Sequence, residues 1–410
     1  MHLPADPTNL RAKTNRQVVE DAWHGFKKDY KRIFDIGSGF ALDTKAMAHL
    51  FACLTQVHRA FFNIFDHILG ESLPITRLRK KVWESIFTCS IRRYHDSLFG
   101  CMRDLSTLVT GPSGTGKELV ARAIGLSQYV PFNAKTCQFD FDSSFMFLPL
   151  NLTALSPTLI ESELFGHCKG AFTGAVEDRT GWLESCSQYG AVFLDEIGDL
   201  DIGLQVKLLR VLQQRTYCRL GETEERIFQG KIVAATNRNL AEEIGEHRFR
   251  EDFYFRLCAD RIETPSLREQ LDDCPKDLDW LVQCTIRKMG VEDALAIGQE
   301  VAQWINANLG PRYGWSGNIR ELEQCIRSYL IRGEYTPLSN IANYQLKNEL
   351  PKWLSPLLSG NLSSEQLMSR YSTWLYFKEG SYEKTAQILK VDRRTVKAKI
   401  DPKLLEELQK

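Results

Sequence analysis

Gly111-Pro112-Ser113-Gly114-Thr115-Gly116-Lys117 puts glycines and one lysine on a loop between the apolar run Leu105 to Val109 and the helix-like run Leu119 to Ile124. Strand, glycine loop and helix, in that order, form the setting of a phosphate-binding loop. Successive backbone N–H groups and the helix N-terminus face phosphate oxygens there, and Lys117 adds a movable positive charge. The expected ligand is a nucleotide. Glu118 follows the lysine, where a Ser or Thr hydroxyl commonly ligates magnesium, so a distant carboxylate must carry more of that work. The apolar run Gly190 to Leu194 delivers one, because it ends in Asp195-Glu196 at the C-terminal edge of a strand, where ligands of parallel sheets sit. Asp195 is the candidate Mg2+ ligand, and Glu196 is the candidate group that orients and deprotonates the attacking water. Two adjacent acids after a buried strand also read as the start of a turn. A further apolar run, Lys231 to Ala235, ends in Thr236-Asn237. Asn237 can sense the terminal phosphate, or equally serve as a helix cap or turn residue.

A second kind of chemistry, contact with a partner, is suggested by Gly170-Ala171-Phe172-Thr173-Gly174-Ala175. Small residues flanking one aromatic and one hydroxyl suit neither helix nor strand. They predict a flexible tip that presents Phe172 and Thr173. Standing alone, the same six residues read as a glycine-rich surface turn.

These motifs, in this order, resemble the sigma-54-dependent transcriptional activators, bacterial enhancer-binding proteins of the NtrC class. The resemblance runs from about Leu69 to about Leu330 and resumes in the last thirty residues. It is carried by residues 111–118, by the block from Glu161 to Ala175, by Phe193 to Ile197, Ala234 to Asn237, Phe249 to Leu257 and Gly317 to Leu322. Glu118 departs from the general phosphate-loop pattern and agrees with the family's.

The resemblance implies an AAA+ ATPase that assembles into a ring, usually a hexamer, with ATP between subunits. Residues 170–175 would engage sigma-54 and drive RNA polymerase from the closed to the open promoter complex. It maps the arginines donated to a neighbour's nucleotide onto Arg250 and Arg256, a role that suits a guanidinium beside spreading phosphoryl charge. Read without the family, both could be ordinary surface ion pairs. Arg320 matches the lid arginine that touches its own subunit's nucleotide, and Asn151 the residue that restrains the glutamate corresponding to Glu196. Cys168 stands where the family commonly has an acid. Residues between Tyr129 and Asn151 form a longer insertion than expected, near the nucleotide-side helix, and Ile91 to Asp96 form a second expansion.

Toward the C-terminus, Glu365 to Phe377 reads as a helix, Gly380 to Leu389 as a second, and a third begins at Arg393. The apolar offsets of Ala386, Ile388, Leu389, Val391 and Val396 suit a helix-turn-helix. Asp392 would cap the third helix and leave Arg393, Arg394, Thr395 and Lys397 to contact DNA. This resembles the Fis-type module of the family, which binds an upstream activating sequence. Charges on a terminal helix also suit a solvated face. The run Lys403 to Leu408 is short and amphipathic, a pattern that suits dimerisation.

Lys and Arg balance Asp and Glu at 52 each, so no global field draws the chain to DNA, and any DNA contact must be local. No apolar stretch is long enough for a membrane span and no secretion signal opens the chain, so a cytoplasmic protein with no membrane partner is expected. The 11 cysteines are scattered without Cys-x-x-Cys spacing and predict reduced thiols filling core positions. Residues 1–68 read as helical over Gln17 to Phe34 and Thr44 to Leu69, with Phe51, Phe61, Phe62, Phe65 and Ile68 as an apolar face. This is too short and too helical for a phosphoacceptor receiver. It predicts an extension packing on the ATPase or on a partner, either regulatory or a structural cap.

The expected fold class is therefore α/β: an AAA+ P-loop core over 69–265 with a helical lid over 266–333, an all-α N-terminal extension over 1–68, a linker over 334–362 and a C-terminal helix-turn-helix over 363–410. The expected function is ATP-dependent activation of sigma-54 RNA polymerase. The alternatives are an AAA+ machine acting on a different protein and a nucleotide-gated DNA-binding repressor or scaffold.

Overall fold

The computed structural model describes residues 15–34, 42–140, 146–154, 156–337, 362–402 and 404–405. They fall into two units, 1–327 and 328–410. The first is built on a five-stranded sheet of β1 (Thr107–Thr110), β2 (Phe147–Asn151), β3 (Ala191–Asp195), β4 (Lys231–Thr236) and β5 (Asp260–Glu263), in the order β5-β1-β4-β3-β2. Every pairing is parallel. Alternate residues of the same strands enter opposite cores. Leu108, Val192, Leu194, Ile232 and Ala234 pack on one side, and Val109, Ala191, Phe193, Val233, Ala235 and Ile262 on the other. A sheet buried on both faces is why these strands read as unbroken apolar runs.

Helix α1 (Asn15–Phe34) and helix α2 (Thr44–Phe65) make up the N-terminal extension. Asp43 caps α2 by accepting from the Ala46 N–H at 2.6 Å. The expected apolar face holds at Phe51 and Ile68 and fails at Phe61 and Phe65. Phe51, Ala52, Ala60 and Ile64 point inward together with Gln56, Arg59 and Asn63, whereas Phe61 and Phe65 are 51% and 41% exposed. Aromatic content misled at Phe61 and Phe65 because the inward stripe is partly polar, and each of its three polar side chains donates to one specific acceptor. Gln56 Nε2 donates to the Ser127 carbonyl at 2.8 Å, Asn63 Nδ2 to Ser127 Oγ at 3.2 Å, and the Arg59 guanidinium to the Gln128 carbonyl. These acceptors lie just beyond helix α4 (Lys117–Gly125), the helix that follows the phosphate loop. Helix α2 therefore packs on the ATPase core. The insertion after Tyr129 pairs Phe132–Asn133 with Gln138–Phe139 and sets Phe132 5.0 Å from the Trp23 ring and 4.8 Å from Phe51.

Helix α3 (Leu73–Phe87) starts on two carboxylates from far along the chain. Asp277 accepts from the Glu71 and Ser72 N–H groups at 2.8 and 3.1 Å, and Asp273 from Leu73 at 2.7 Å. Acidic groups there satisfy free helix-end donors and meet the positive end of the dipole. Helix α5 (Pro157–Phe165) and helix α6 (Ile202–Gln214) cover the sheet, followed by the short helix α7 (Glu251–Leu257). The lid comprises α8 (Leu267–Asp273), α9 (Asp277–Lys288), α10 (Ala294–Asn308) and α11 (Asn318–Arg332).

The second unit holds α12 (Ser364–Glu379), α13 (Tyr382–Leu389) and α14 (Arg393–Lys399). Its small core of Leu375, Ala386, Val396 and Leu404 also contains fully buried Ser372, Thr373 and Thr385. Their hydroxyls donate one turn back to the Met368, Ser369 and Ser381 carbonyls at 2.6 to 2.8 Å, so none is left unsatisfied. Asp392 stands at the N-cap of α14, but its carboxylate makes no cap hydrogen bond. Residues 338–361, most of the expected linker, lie outside the described residues, as do Lys403 and 406–410 of the amphipathic run.

All 11 cysteines are free thiols. Only Cys53, Cys186 and Cys325 are buried, and Cys89 and Cys101 are exposed, so core filling accounts for a minority of them. Among the described residues no helix is long and apolar enough to cross a membrane.

Candidate nucleotide site

A cavity of about 400 Å³ opens over the phosphate loop. Its lining combines apolar Ile68, Leu69, Ile75, Leu78 and Leu281 with charged Lys117, Glu118, Asp195, Glu196 and Arg320. Apolar residues together with a few charges suit the base and the phosphates of a nucleotide.

The loop glycines are required by geometry. Gly114 (φ +78°) has the Gly317 carbonyl 2.3 Å from where a Cβ would stand, and Gly111 (φ +144°) has Thr264 Oγ1 at 2.2 Å. Lys117 Nζ donates to the Gly111 and Pro112 carbonyls at 3.0 and 3.2 Å. Burial lowers its pKa, against the opposing pull of Glu196 and Asp195. Burial likewise raises the Asp195 pKa, partly offset by the Glu196 N–H and by Lys117. Glu118 faces Arg122 at 3.4 Å, one turn along α4.

Glu196 holds a left-handed backbone at φ +55°. A non-glycine residue there costs on the order of 1–3 kcal/mol, and such strain gathers at working sites. Its Oε2 lies 3.4 Å from the Asn237 backbone N–H, so Asn237 meets Glu196 through its main chain. Asn151 sits beside Asp195 in the β2–β3 register. Its Oδ1 accepts from Thr153 N and Oγ1 at 2.9 and 2.7 Å, and it makes no hydrogen bond to Glu196.

Arg320 Nη1 donates to Ser113 Oγ at 3.0 Å, which brings the lid to the phosphate loop. The residue that sequence reading passed over is Asn318. It is 3% exposed, has φ +53°, accepts from the Leu267 N–H at 2.8 Å and donates to the Ser113 carbonyl at 2.9 Å. The Gly317-Asn318 pair at a helix start was the available signal, since Asn tolerates the left-handed region. Asn318→Ala leaves a buried donor and acceptor unpaired, so a loss of about 1–3 kcal/mol is expected, with weakened ADP binding. Chemical denaturation and fluorescent-nucleotide titration measure the two effects.

The two candidate arginines are not equivalent. Arg250 forks onto Asp252 at 2.9 and 2.7 Å, and its backbone N–H donates to buried Gln205 at 2.9 Å. Arg256 is exposed, and no hydrogen bond or ion pair engages its side chain among the described residues.

The 170–175 segment is a hydrogen-bonded turn. Gly170 N–H donates to the Ala175 carbonyl at 2.9 Å and Ala175 N–H to the Phe172 carbonyl at 3.0 Å. Phe172 packs edge-on to His167 at 5.0 Å, and His167 is tied to Ser162 Oγ at 2.7 Å. Thr173 is exposed and Phe172 half-buried. In the second unit, Arg393, Arg394 and Lys397 are exposed on α14 and Thr395 is half-buried, with Arg393 paired to Glu383 at 2.7 Å.

The parallel sheet in this strand order, its phosphate loop, the paired acids at a strand end and Arg320 beside the loop define a P-loop nucleotide-binding fold of the AAA+ class. Residues 94–263 match the sigma-54 interaction domain. The Nif-specific regulatory protein of Azotobacter vinelandii is 39% identical over 286 residues, covering 69% of this chain and 51% of that protein. The transcriptional regulatory protein ZraR of Salmonella typhimurium is 36% identical over 304 residues, 72% of this chain and 63% of that one. The DNA-binding transcriptional regulator NtrC of Azospirillum brasilense is 42% identical over 228 residues, 55% of this chain and 42% of that one. The chain thus spans about two-fifths to three-fifths of the length of these relatives. It carries a sigma-54 interaction domain and is similar to these transcriptional regulators over that part of their length.

Proposed function

We propose that this chain hydrolyses ATP to ADP and phosphate between subunits of a ring of its own copies, and that the energy remodels sigma-54 RNA polymerase at promoters. The observation that carries this reading is the cavity in which Lys117, Asp195 and Glu196 converge beside Arg320. The loop amides of residues 114–116 and Lys117 bind phosphate oxygens. Glu196 takes the proton of the attacking water. Arg256 reaches the neighbouring subunit's nucleotide, and Arg320 reports on its own. The half-buried carboxylate of Asp195 suits a hard cation, and Mg2+ bound there supplies charge neutralisation on the phosphates. Arg393, Arg394, Thr395 and Lys397 on α14 form the proposed contact with an upstream activating sequence.

Phe172 and Thr173 form the sigma-54 contact. The packing of Phe172 on His167 supports a tip that is stored folded and must be released to engage. With ADP and aluminium fluoride, which imitate the transferring phosphoryl group, the wild-type chain is expected to form a stable complex with sigma-54. Thr173→Ala is expected to weaken that complex at least about tenfold, or 1.4 kcal/mol, with ATP binding unchanged. Absence of any complex in a chain that still hydrolyses ATP would point to a different protein target.

A further inference from the structure

Between the extension and the ATPase core lies a set of side chains that the nucleotide chemistry does not use. His49 and Cys53 are one turn apart on α2, and His95 sits on a π-helical turn, Tyr94–Leu98, ahead of β1. One ligand atom from each of the three lies within 4.8 Å of the others. Cys53 Sγ is 3.7 Å from His49 Nε2, inside the spacing of about 3.3–3.8 Å that ligand pairs adopt on tetrahedral zinc.

His95 supplies the decisive detail. Its Nδ1 lies 2.9 Å from Asp96 Oδ1. A carboxylate only accepts, so Nδ1 carries the hydrogen and Nε2 of the neutral ring carries a lone pair. That Nε2 is buried with no hydrogen-bond partner. A carboxylate holding one ring nitrogen while the other is aimed at a ligand is the arrangement metal-binding histidines use. His49 Nδ1 is 2.7 Å from Tyr129 Oη, a ready second partner of the same kind. Single-turn π-helices recur at functional sites, and here the turn carries the ligand ahead of β1.

We propose that His49, Cys53 and His95 form a zinc site, with water in the fourth position, that fastens α2 of the extension to the segment entering the ATPase core. One thiolate and two imidazoles are a zinc-type donor set. On binding, the Cys53 thiol gives its proton to solvent. His49 stays neutral, exchanging the Nε2 hydrogen now donated to the His95 carbonyl at 2.9 Å for one on Nδ1 donated to Tyr129. Burial pushes the Cys53 thiol up to about 12. Metal binding should weaken at acid pH, as protons compete for the thiolate and the imidazoles.

The test uses the full chain, stripped with chelator and titrated with Co2+ as a spectroscopic stand-in for zinc. A thiolate-to-cobalt charge-transfer band that saturates at one ion per chain is expected, and zinc should displace it. The band should vanish in Cys53→Ser and persist in Cys101→Ser, whose cysteine is exposed. Asp96→Asn alters a group that is 58% exposed, and so keeps the fold while loosening zinc by about 10–100-fold. Zinc should also raise the thermal midpoint of the wild type and not of Cys53→Ser. No band in the wild type, or a band unchanged in both Cys53→Ser and Asp96→Asn, overturns the site.

Discussion

Glu196→Gln is expected to bind ATP as the wild type does and to lose turnover by a factor on the order of 10²–10⁴, the usual contribution of a positioned general base. The substitution keeps shape and hydrogen-bonding reach while removing the group that accepts the proton. It also keeps what the backbone needs. Glu196 N–H is 3.1 Å from Asp195 Oδ1, and the left-handed φ of +55° is set by the chain on either side. Phosphate affinity should hold or rise slightly, because one of the two acids sharing the Lys117 charge has gone. Fluorescent-nucleotide binding alongside phosphate release separates the two effects. Normal turnover in this variant would remove Glu196 from the mechanism.

Arg256→Ala is expected to lower kcat by a factor on the order of 10³–10⁵, the range of an arginine supplied across an interface to a transferring phosphoryl group. Arg250→Ala should cost less, because the Arg250 fork is engaged by Asp252 on its own subunit. The decisive measurement mixes Arg256→Ala chains with Lys117→Ala chains, each inactive alone. If the arginine acts in trans, some interfaces pair an intact phosphate loop with an intact Arg256, and activity partly returns. If it acts on its own subunit, every interface lacks something and mixing restores nothing.

The candidate nucleotide site was legible as a place because phosphate binding demands residue types in a fixed local order, strand then glycine loop then lysine, and the acids end a strand. Residues 111–118 and Asp195-Glu196 meet in space as that order implies. Asn318 was not legible, since its task is to join Leu267 to Ser113 and neither neighbour is near it in sequence. The same applies to Asp277, which closes the start of α3 from 205 residues away. The buried face of α2 was misread at Phe61 and Phe65 because Gln56, Arg59 and Asn63 look like surface residues until their acceptors around Ser127 are known.

Local residue order carried the candidate phosphate site, the order of the elements and the helices over 15–34, 44–65 and 364–399, because backbone periodicity and the phosphate loop are written in neighbouring residues. Tertiary structure alone decided which groups are free to act. It pairs Arg250 with Asp252 and leaves Arg256 open, turns Phe172 inward onto His167, and gathers His49, Cys53 and His95 from places 42 residues apart at the nearest crossing of the two segments. The physical reason is that a side chain's chemistry depends on its partners and its water, and packing between distant segments sets both.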